Sequence, residues 1–321
     1  MVSIFKEDYS FMTKYLVFGH KNPDTDTIAS AIAMSYFLEK QGEEAEPVAL
    51  GEVNDETAFA LNYFNVSAPR VVTTVANEVS NVALVDHNES VQSVEDLSEV
   101  TVDYVVDHHR ISGFETAQPL YYRAEPIGCT ATILFKMFVE HSYDIPKAIA
   151  GLMLSAIISD TLLFKSPTTT NQDENAAIEL SKIADVNLEV YGMDLLKSGT
   201  DLSSKSETEL LNSDAKNFDM DGKKVRIGQV NVVDFEDILA RKSALLDQMA
   251  TEFMAAGDLE LSVLIITDIL ESNSIGLVVG NDFAAVEKAF KVPVVEQQLE
   301  LPGVVSRKKQ VVPQLTESYT V

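Results

Sequence analysis

The sequence lacks features on which several classes of protein depend. Its 321 residues include one cysteine, Cys129, and no tryptophan. A single cysteine excludes an internal disulfide and fits a reducing compartment, so we expect a cytoplasmic protein with Cys129 as a small buried residue. No apolar run reaches the roughly 20 residues of a bilayer span, and the acidic N-terminus lacks the apolar core of a signal peptide. We therefore expect no membrane partner and no secretion.

Positive charge is also scarce. The chain has 24 Lys and Arg residues against 50 Asp and Glu residues, a formal net charge of −26. Because nucleic-acid binding depends on cations that neutralise phosphates, this balance argues against a nucleic-acid partner. Any phosphate-rich ligand would need bound metal ions or a local basic cluster to overcome the long-range repulsion.

Strand-like and helix-like segments alternate in the first half of the chain. Short apolar runs predict strands at Tyr15–Gly19, Pro47–Leu50, Val82–Val85 and Val102–Val106. Segments with helical spacing of apolar residues are found at 27–40, 52–64, 129–141, 146–159, 173–184 and 188–197. This alternation predicts an α/β fold with a mainly parallel sheet that has helices on both faces.

A polar segment rich in serine separates this region from the rest of the chain. Its Ser, Gly, Thr and Asp content is typical of a linker. Beyond it, strands are predicted at 225–232, 261–267 and 274–279, and helices at 234–255 and 282–290. We therefore expect an N-terminal domain at residues 1–198, a linker at 199–206 and a smaller α/β domain at 207–321.

Histidine and aspartate follow three predicted strands and end one predicted helix. These residues are His20, Asp24, Asp26, Asp86, His108, His109 and Asp160. Since α/β proteins place ligands at the carboxyl ends of their strands, we expect these side chains to be neighbours. Imidazole and carboxylate without thiolate suit Mn, Co, Fe or Zn, and more than four ligands imply two ions with a shared carboxylate. Two such ions can lower the pKa of a bound water towards neutrality.

Each of these residues also has a structural interpretation. Asp24 or Asp26 fits the N-cap of the following helix, Asp86 fits a turn, and Asp160 fits the entrance to a loop. The histidines of Asp107-His108-His109 also fit an exposed surface. Because side chains alternate along an extended segment, these two histidines cannot point the same way. One can bind a metal while the other faces a substrate.

A basic cluster, Ser306-Arg307-Lys308-Lys309-Gln310, lies near the end of the chain. It concentrates three of the 24 basic residues within five positions. Arginine grips phosphate oxygens in a bidentate manner and lysine acts as a point charge, so the cluster fits a phosphate-binding site. A solvated basic turn is the alternative.

Together these motifs resemble those of the family II, manganese-dependent, inorganic pyrophosphatases within the DHH phosphoesterase superfamily. The resemblance extends from about Lys14 to about Val312. The motifs that carry it are Gly19-His20-Lys21-Asn22-Pro23-Asp24-Thr25-Asp26, Val85-Asp86-His87-Asn88, Asp107-His108-His109, Ser159-Asp160-Thr161 and Ser306-Arg307-Lys308-Lys309-Gln310. The glycine-rich, histidine-containing motif usual in relatives that cleave oligonucleotides or cyclic dinucleotides is not found.

The resemblance implies a metal-binding DHH domain, a substrate-binding C-terminal domain and an active site between them. The implied ligands are His20, Asp24 and Asp86 for one ion, and Asp26, Asp86, His108 and Asp160 for the other. A hydroxide that bridges two Mn²⁺ ions, for which Co²⁺ is a possible substitute, would hydrolyse pyrophosphate, delivered with Mg²⁺, to two phosphates. Asp86 and His109 would be catalytic, and the implied substrate-binding residues are His109, Lys216, Arg307 and Lys308.

The resemblance also implies a cytoplasmic homodimer joined through the N-terminal domain. Residues 1–12 are interpreted as an extension before the first strand, and we expect deletion of residues 1–11 to leave activity intact. Two other functions stay open. One is a DHH-type oligonucleotide or cyclic-dinucleotide phosphodiesterase, and the other is a non-catalytic regulator that binds metal or phosphate.

Overall fold

A computed structural model describes residues 13–200, 202 and 205–319 of the chain. The predicted extension at residues 1–12 and part of the predicted linker lie outside the described residues. The chain divides into two compact units, residues 1–199 and 200–321. Each unit has apolar clusters of its own. No helix within the described ranges combines the length and hydrophobicity that a bilayer crossing requires.

The first unit is built on a six-stranded sheet in which every pair of neighbouring strands is parallel. Its strands are β1 (Lys14–Phe18), β2 (Glu44–Ala49), β3 (Arg70–Val71), β4 (Asn81–Val85), β5 (Thr101–Asp107) and β6 (Tyr121–Ala124). The order across the sheet is β3-β2-β1-β4-β5-β6. The strands β1, β4 and β5 are therefore adjacent, and their carboxyl ends meet at one edge. The predicted strand ends with His and Asp are these three.

Helices account for most of the rest of the first unit. They are α1 (Thr25–Lys40), α2 (Asp55–Tyr63), α3 (Thr130–Glu140), α4 (Lys147–Thr161), α5 (Asn171–Ala184) and α6 (Leu188–Gly199). In α1, buried residues occur on nearly every side, and α4 is buried along most of its length. Helices that are apolar all round belong in an interior, and α4 packs against both α1 and α5.

A buried carboxylate joins the beginnings of α3 and α5. Asp173, which is 0 % exposed, accepts hydrogen bonds from the Gly128 backbone nitrogen at 2.9 Å and from Thr132 Oγ1 at 2.7 Å. It also accepts bonds from the backbone nitrogen and hydroxyl of Thr170, the N-cap of α5, at 2.8 and 2.7 Å. Four donors satisfy this buried charge, which would otherwise be costly, and fix where α3 begins.

The second unit contains a mixed five-stranded sheet with the order β11-β10-β9-β8-β7. Its strands are β7 (Ala215–Met220), β8 (Lys223–Val232), β9 (Leu259–Asp268), β10 (Asn273–Gly280) and β11 (Gln298–Pro302). Only the pair β8–β9 is parallel. Its helices are α7 (Glu207–Ser213), α8 (Glu236–Ala240), α9 (Lys242–Ala256), α10 (Phe283–Phe290) and α11 (Val312–Tyr319). The predicted fold class, a mainly parallel sheet flanked by helices plus a smaller α/β domain, is confirmed.

One local prediction in the second unit was wrong. The single helix predicted at 234–255 is two helices that meet at Arg241, whose guanidinium bonds Glu207 and the carbonyl oxygens of Leu202 and Lys205. The basic cluster lies in a π-helical turn at Arg307–Val311, which leads directly into α11.

Candidate metal centre

His20 follows β1 and is oriented by the backbone beside it. Its Nδ1 lies 2.8 Å from the Lys21 carbonyl oxygen, so Nδ1 is the donor and Nε2 faces the carboxylates. Nε2 is 3.4 Å from Asp24 Oδ2 and 3.4 Å from Asp86 Oδ2. A backbone carbonyl bound to one ring nitrogen is a common way to orient a metal-binding histidine.

Asp86 occupies the centre of the cluster. It follows β4 with φ of 57°, in the left-handed region that non-glycine residues seldom adopt, and its backbone nitrogen donates to the Val106 carbonyl oxygen at 2.9 Å. Its Oδ2 faces His20, while its Oδ1 lies 3.4 Å from His108 Nε2. One buried carboxylate therefore has one oxygen directed at each of two histidines.

Two threonine hydroxyls hold the Asp86 carboxylate in this position. Thr27 Oγ1 donates to Oδ2 at 2.8 Å, and Thr130 Oγ1 donates to Oδ1 at 3.1 Å. Thr27 approaches because residue 19 is glycine: a Cβ on Gly19 would lie 2.6 Å from Thr27 Cγ2. The first turns of α1 and α3 thus fix the shared carboxylate.

His108 repeats the arrangement of His20 on the other side of Asp86. Its Nδ1 lies 3.0 Å from the Ile127 carbonyl oxygen, and its Nε2 lies 3.9 Å from Asp160 Oδ2. Asp160 belongs to the last turn of α4, the helix that it was expected to end. The helix ends immediately afterwards, at Leu162, which is left-handed with φ of 48°.

Asp26 is completely buried in the first turn of α1. Its carboxylate accepts the Thr130 and Ala131 backbone nitrogens at 2.7 and 3.1 Å and the Ser30 hydroxyl at 2.7 Å. The two backbone donors belong to the first turn of α3, whose partial positive charge favours an anion. The N-cap of α1 is Asp24, which accepts the Thr27 backbone nitrogen at 2.9 Å. The structural interpretation thus holds for Asp24 and does not account for Asp26.

His109 does not point away from His108, as alternation along an extended segment had predicted, because the chain bends after β5 and the two ring centroids lie 4.3 Å apart. Its Nδ1 lies 2.9 Å from Asp107 Oδ1 and 3.6 Å from Asp86 Oδ1, and its side chain is 51 % exposed. Asp107 is fully buried and also accepts Asn88 Nδ2 at 2.6 Å. The buried carboxylate therefore orients His109 and leaves its Nε2 directed outwards.

The pKa values of the clustered side chains are shifted because several carboxylates lie close together in a buried region. Burial and the neighbouring Asp86 raise the pKa of Asp26 to about 7, and burial and nearby carboxylates raise the pKa of Asp160 well above its usual range. Burial opposes protonation of His20 and His108, but hydrogen bonds to carboxylates raise their pKa values to about 11 and about 9. Burial acts to raise the pKa of Asp86, yet hydrogen bonds from both histidines lower it.

These shifts show that the cluster suits a divalent cation. Without one, protons on His20, His108, Asp26 and Asp160 must balance the carboxylates, and a metal ion would replace those protons. The donors are nitrogen and oxygen atoms, a set that suits manganese among other metals. Groups of three potential ligand atoms within 4.8 Å of one another include His20–Asp24–Asp86 and Asp86–His108–His109.

Cys129 lies beside this cluster, although the sequence suggested no role for it there. It is the fully buried N-cap residue of α3, and its sulfur lies within 4.8 Å of ligand atoms of Asp26 and Asp160. Burial and the surrounding carboxylates raise the pKa of the thiol well above its usual value. Cys129 is thus a small buried residue, as predicted.

The structure thus groups the predicted metal ligands with His109 and has the other predicted substrate residues, Lys216, Arg307 and Lys308, in the second unit. The residues brought together are His20, Asp24, Asp26, Asp86, His108, His109 and Asp160. The sequence interpretation missed the polar residues that hold them, Thr27, Asn88 and Thr130. Their positions near predicted helix starts and strand ends were visible, but nothing in their identity distinguished them from ordinary capping residues.

In the second unit, the predicted phosphate-binding residues differ in exposure. Lys216 on β7 and Lys308 are exposed, whereas Arg307 is 9 % exposed. The Arg307 guanidinium donates to the Asp214 carbonyl oxygen and, at 2.7 Å, to Asp214 Oδ1. Its backbone nitrogen donates to Gln229 Oε1 at 3.1 Å. Neither Asp214 nor Gln229 was singled out from the sequence.

Comparison with known proteins identifies the family. The model of the DHH family N-terminal domain matches residues 14–157, and that of the DHHA2 domain matches residues 193–318. A manganese-dependent inorganic pyrophosphatase of Bacillus subtilis (strain 168) is 58% identical over 307 residues, which cover 96% of this chain and 99% of the relative. This chain belongs to the family of manganese-dependent inorganic pyrophosphatases.

Other members of this pyrophosphatase family agree over the same length. A probable manganese-dependent inorganic pyrophosphatase of Enterococcus faecalis (strain ATCC 700802 / V583) is 58% identical and covers 96% of this chain and all of the relative. A crystal structure from Methanococcus jannaschii, assigned to the family II inorganic pyrophosphatases, has 41% identity and a TM-score of 0.61. It covers 95% of this chain and 99% of that one. The similarity therefore includes both units.

Proposed function

We propose that this chain hydrolyses inorganic pyrophosphate to two phosphates with the help of two divalent ions, manganese above all. The observation that carries the proposal is the Asp86 carboxylate, whose two oxygens face His20 and His108 separately. One ion would be held by His20, Asp24 and Asp86. The ligands of the other would be Asp26, Asp86, His108 and Asp160. Cobalt would substitute for manganese in the same donor set.

The ions would neutralise phosphate charge and supply a water of lowered pKa. The residues of the chain position the other participants. His109 gives Nδ1–H to Asp107 and presents Nε2 to the substrate, and the Asp107 hydrogen bond raises its pKa. A protonated His109 would therefore donate a hydrogen bond to a phosphate oxygen, where charge-stabilising contacts matter most for catalysis.

The basic residues of the second unit would complete the binding of the substrate, which would arrive with magnesium. Lys216 and Lys308 offer exposed ammonium groups. Arg307 has five N–H donors, and within the described parts of the chain Nε–H and one Nη2–H have no partner. Asp214 would hold the guanidinium while those donors contact phosphate. We also propose a cytoplasmic homodimer joined through the first unit.

Release of phosphate from pyrophosphate by the purified full-length chain tests the function. We expect activity with added Mn²⁺ and its loss when EDTA removes the metal. A parallel assay with a dinucleotide, in the same buffer and with the same metal, tests the phosphodiesterase alternative. Turnover of the dinucleotide without turnover of pyrophosphate would contradict the proposal, and metal binding without any turnover would favour a regulator.

A further inference from the structure

The metal cluster forms one wall of a cavity of about 520 Å³ that belongs entirely to the first unit. The residues that line it are His20, Lys21, Asn22, Asp86, His87, Asn88, Glu89, Gln92, His109 and Arg110. His87 is buried, and its Nε2 has no hydrogen-bond partner among the described residues. An unpartnered buried nitrogen in the wall indicates that the cavity accommodates a polar ligand.

Lys21 is a partly buried cation in this wall. Its backbone nitrogen donates to the Gln92 carbonyl oxygen at 2.8 Å, and its own carbonyl oxygen accepts His20 Nδ1 at 2.8 Å. The main chain at Lys21 is therefore fixed beside a proposed metal ligand. Among the residues that the structure describes, the Lys21 ammonium makes no ion pair and no hydrogen bond.

Arg110 is the second cation of the wall. Its carbonyl oxygen accepts Asn88 Nδ2 at 2.9 Å, which fixes its main chain next to His109. Its guanidinium, however, is 84 % exposed and makes only a 3.4 Å contact with Glu89. By contrast, Arg123 in the same unit is 17 % exposed and bonds Glu140 at 2.6 Å. The main chain of Arg110 is thus fixed, whereas its guanidinium is exposed and has a long contact with Glu89.

Both cations suit an anion better than any other ligand. The cavity wall also carries the carboxylates of Asp86 and Glu89, which repel an anion unless cations on the same wall offset them. Lysine as a point charge and arginine as a planar fork are the two side chains that bind phosphate most often. On this basis, and resting on the proposed function, we propose that Lys21 and Arg110 form a phosphate-binding pair within the first unit. The pair holds a phosphate group of the substrate, or the product phosphate, beside the metal cluster.

Two neutral variants test the pair, Lys21→Met and Arg110→Gln. Each removes the positive charge and leaves an unbranched but shorter side chain, and the main-chain hydrogen bonds at both positions do not depend on the side chain. With manganese present, we expect KM for pyrophosphate to rise about threefold to tenfold in each variant, while kcat stays within about twofold. The Kd for inorganic phosphate, measured by calorimetry on the manganese-loaded full chain, should rise by a similar factor.

Lys182→Met is the matched control, because Lys182 is exposed, bonds Glu179 at 2.7 Å and lies outside the cavity. It should leave KM and the phosphate Kd unchanged.

A salt series distinguishes a loss of electrostatic attraction from a structural change in the variants. The screening length falls from about 10 Å at 0.1 M salt to about 3 Å at 1 M. The KM ratio of Arg110→Gln to wild type should therefore approach one as KCl increases, and Arg110→Lys should recover most of the loss.

The inference is overturned if both variants keep KM and the phosphate Kd within about twofold of wild type while the wild type is active. In that case the proposed function stands without the pair. If the wild type releases no phosphate from pyrophosphate, the proposed function fails instead. The calorimetric Kd for phosphate then tests the Lys21–Arg110 pair independently of turnover: a Kd that rises in both variants supports the pair, and an unchanged Kd overturns it.

Discussion

The carboxylate of Asp86 lies between His20 and His108. A substitution that changes one atom of this carboxylate therefore tests the proposed metal site. Asp86→Asn keeps the shape of the side chain, removes its charge and replaces one oxygen with an amide nitrogen, which does not bind a metal. We expect manganese affinity to fall by at least about 10- to 100-fold, together with turnover, because both proposed ions share this residue. Manganese titration calorimetry and phosphate release measure the two effects.

Asp194→Asn, an exposed position on α6, is the control for the Asp86 variant and should change neither quantity. Near-normal manganese affinity in Asp86→Asn would show that Asp86 is not a shared ligand. A normal affinity combined with lost turnover would assign Asp86 to a step other than metal binding.

The proposed metal ligands could be selected from the sequence for a physical reason. Acids and histidines that follow apolar strands are costly to bury without a partner, and parallel strands bring their ends together. The roles of Thr27, Thr130 and Asn88 could not be predicted in this way, because side chains with a hydroxyl or an amide are common in turns and at helix starts. Their roles depend on which backbone groups the fold places beside them.

At the scale of elements, the first turn of α3 is the part of the fold on which the site depends most. Its backbone nitrogens bind Asp26, and its start is fixed by the Asp173 carboxylate at the beginning of α5. Asp173→Ala would leave buried donors unpaired at Gly128 and Thr170. We expect a loss of about 2–4 kcal/mol of stability, which lowers the Tm of a unit this size by about 2–4 °C per kcal/mol.

Calorimetry of the EDTA-treated full chain measures this loss, with Asp194→Ala as the control. Manganese affinity of the folded Asp173→Ala variant should also fall, because Asp26 would no longer be held by a fixed helix start. An unchanged Tm would mean that the four hydrogen bonds to Asp173 are replaced by water without cost.

Elements were predicted best where their apolar pattern was strong. The strands β1, β4 and β5 and the helices α1 and α4 are buried and apolar, and the sequence located all five. The strands β3, β6, β7 and β11 were missed, because they are short or carry polar residues that neighbouring strands accommodate. The π-helical turn at Arg307–Val311 has no sequence signal at all, since π-helical turns are rare and are set by their surroundings.

At the scale of the whole molecule, the cluster makes stability depend on pH and metal together. The folded-state pKa values of His20 and His108, about 11 and about 9, exceed the ordinary 6.5. Their stabilising effect is therefore complete below pH 6.5 and is lost as the pH rises towards 9 and 11. The pKa of Asp26 is raised from 3.8 to about 7, so its protonated form also favours the fold at lower pH.

We therefore expect the metal-free protein to become less stable between pH 6 and pH 9, and manganese to oppose this loss because it replaces the protons. Calorimetric scans at pH 6, 7.5 and 9, with EDTA or with excess Mn²⁺, measure both effects. Only the transition of the first unit should respond, because the proposed ligands all belong to it. A metal-free Tm that rises over this range would contradict the assignment of protons within the cluster.

The order of the ligands along the chain has a consequence for biogenesis. His20 and Asp24 leave the ribosome first, yet Asp160 follows only after roughly 140 more residues, about 7–28 s later at 5–20 residues per second. Within that interval the two neighbours of β1 are complete once β4 ends at Val85, and the first turn of α3, which binds Asp26, follows from Thr130. If the proposed ligand set is right, the complete set for both ions is available only after Asp160 has been made, about halfway through the 321 residues and before the second unit.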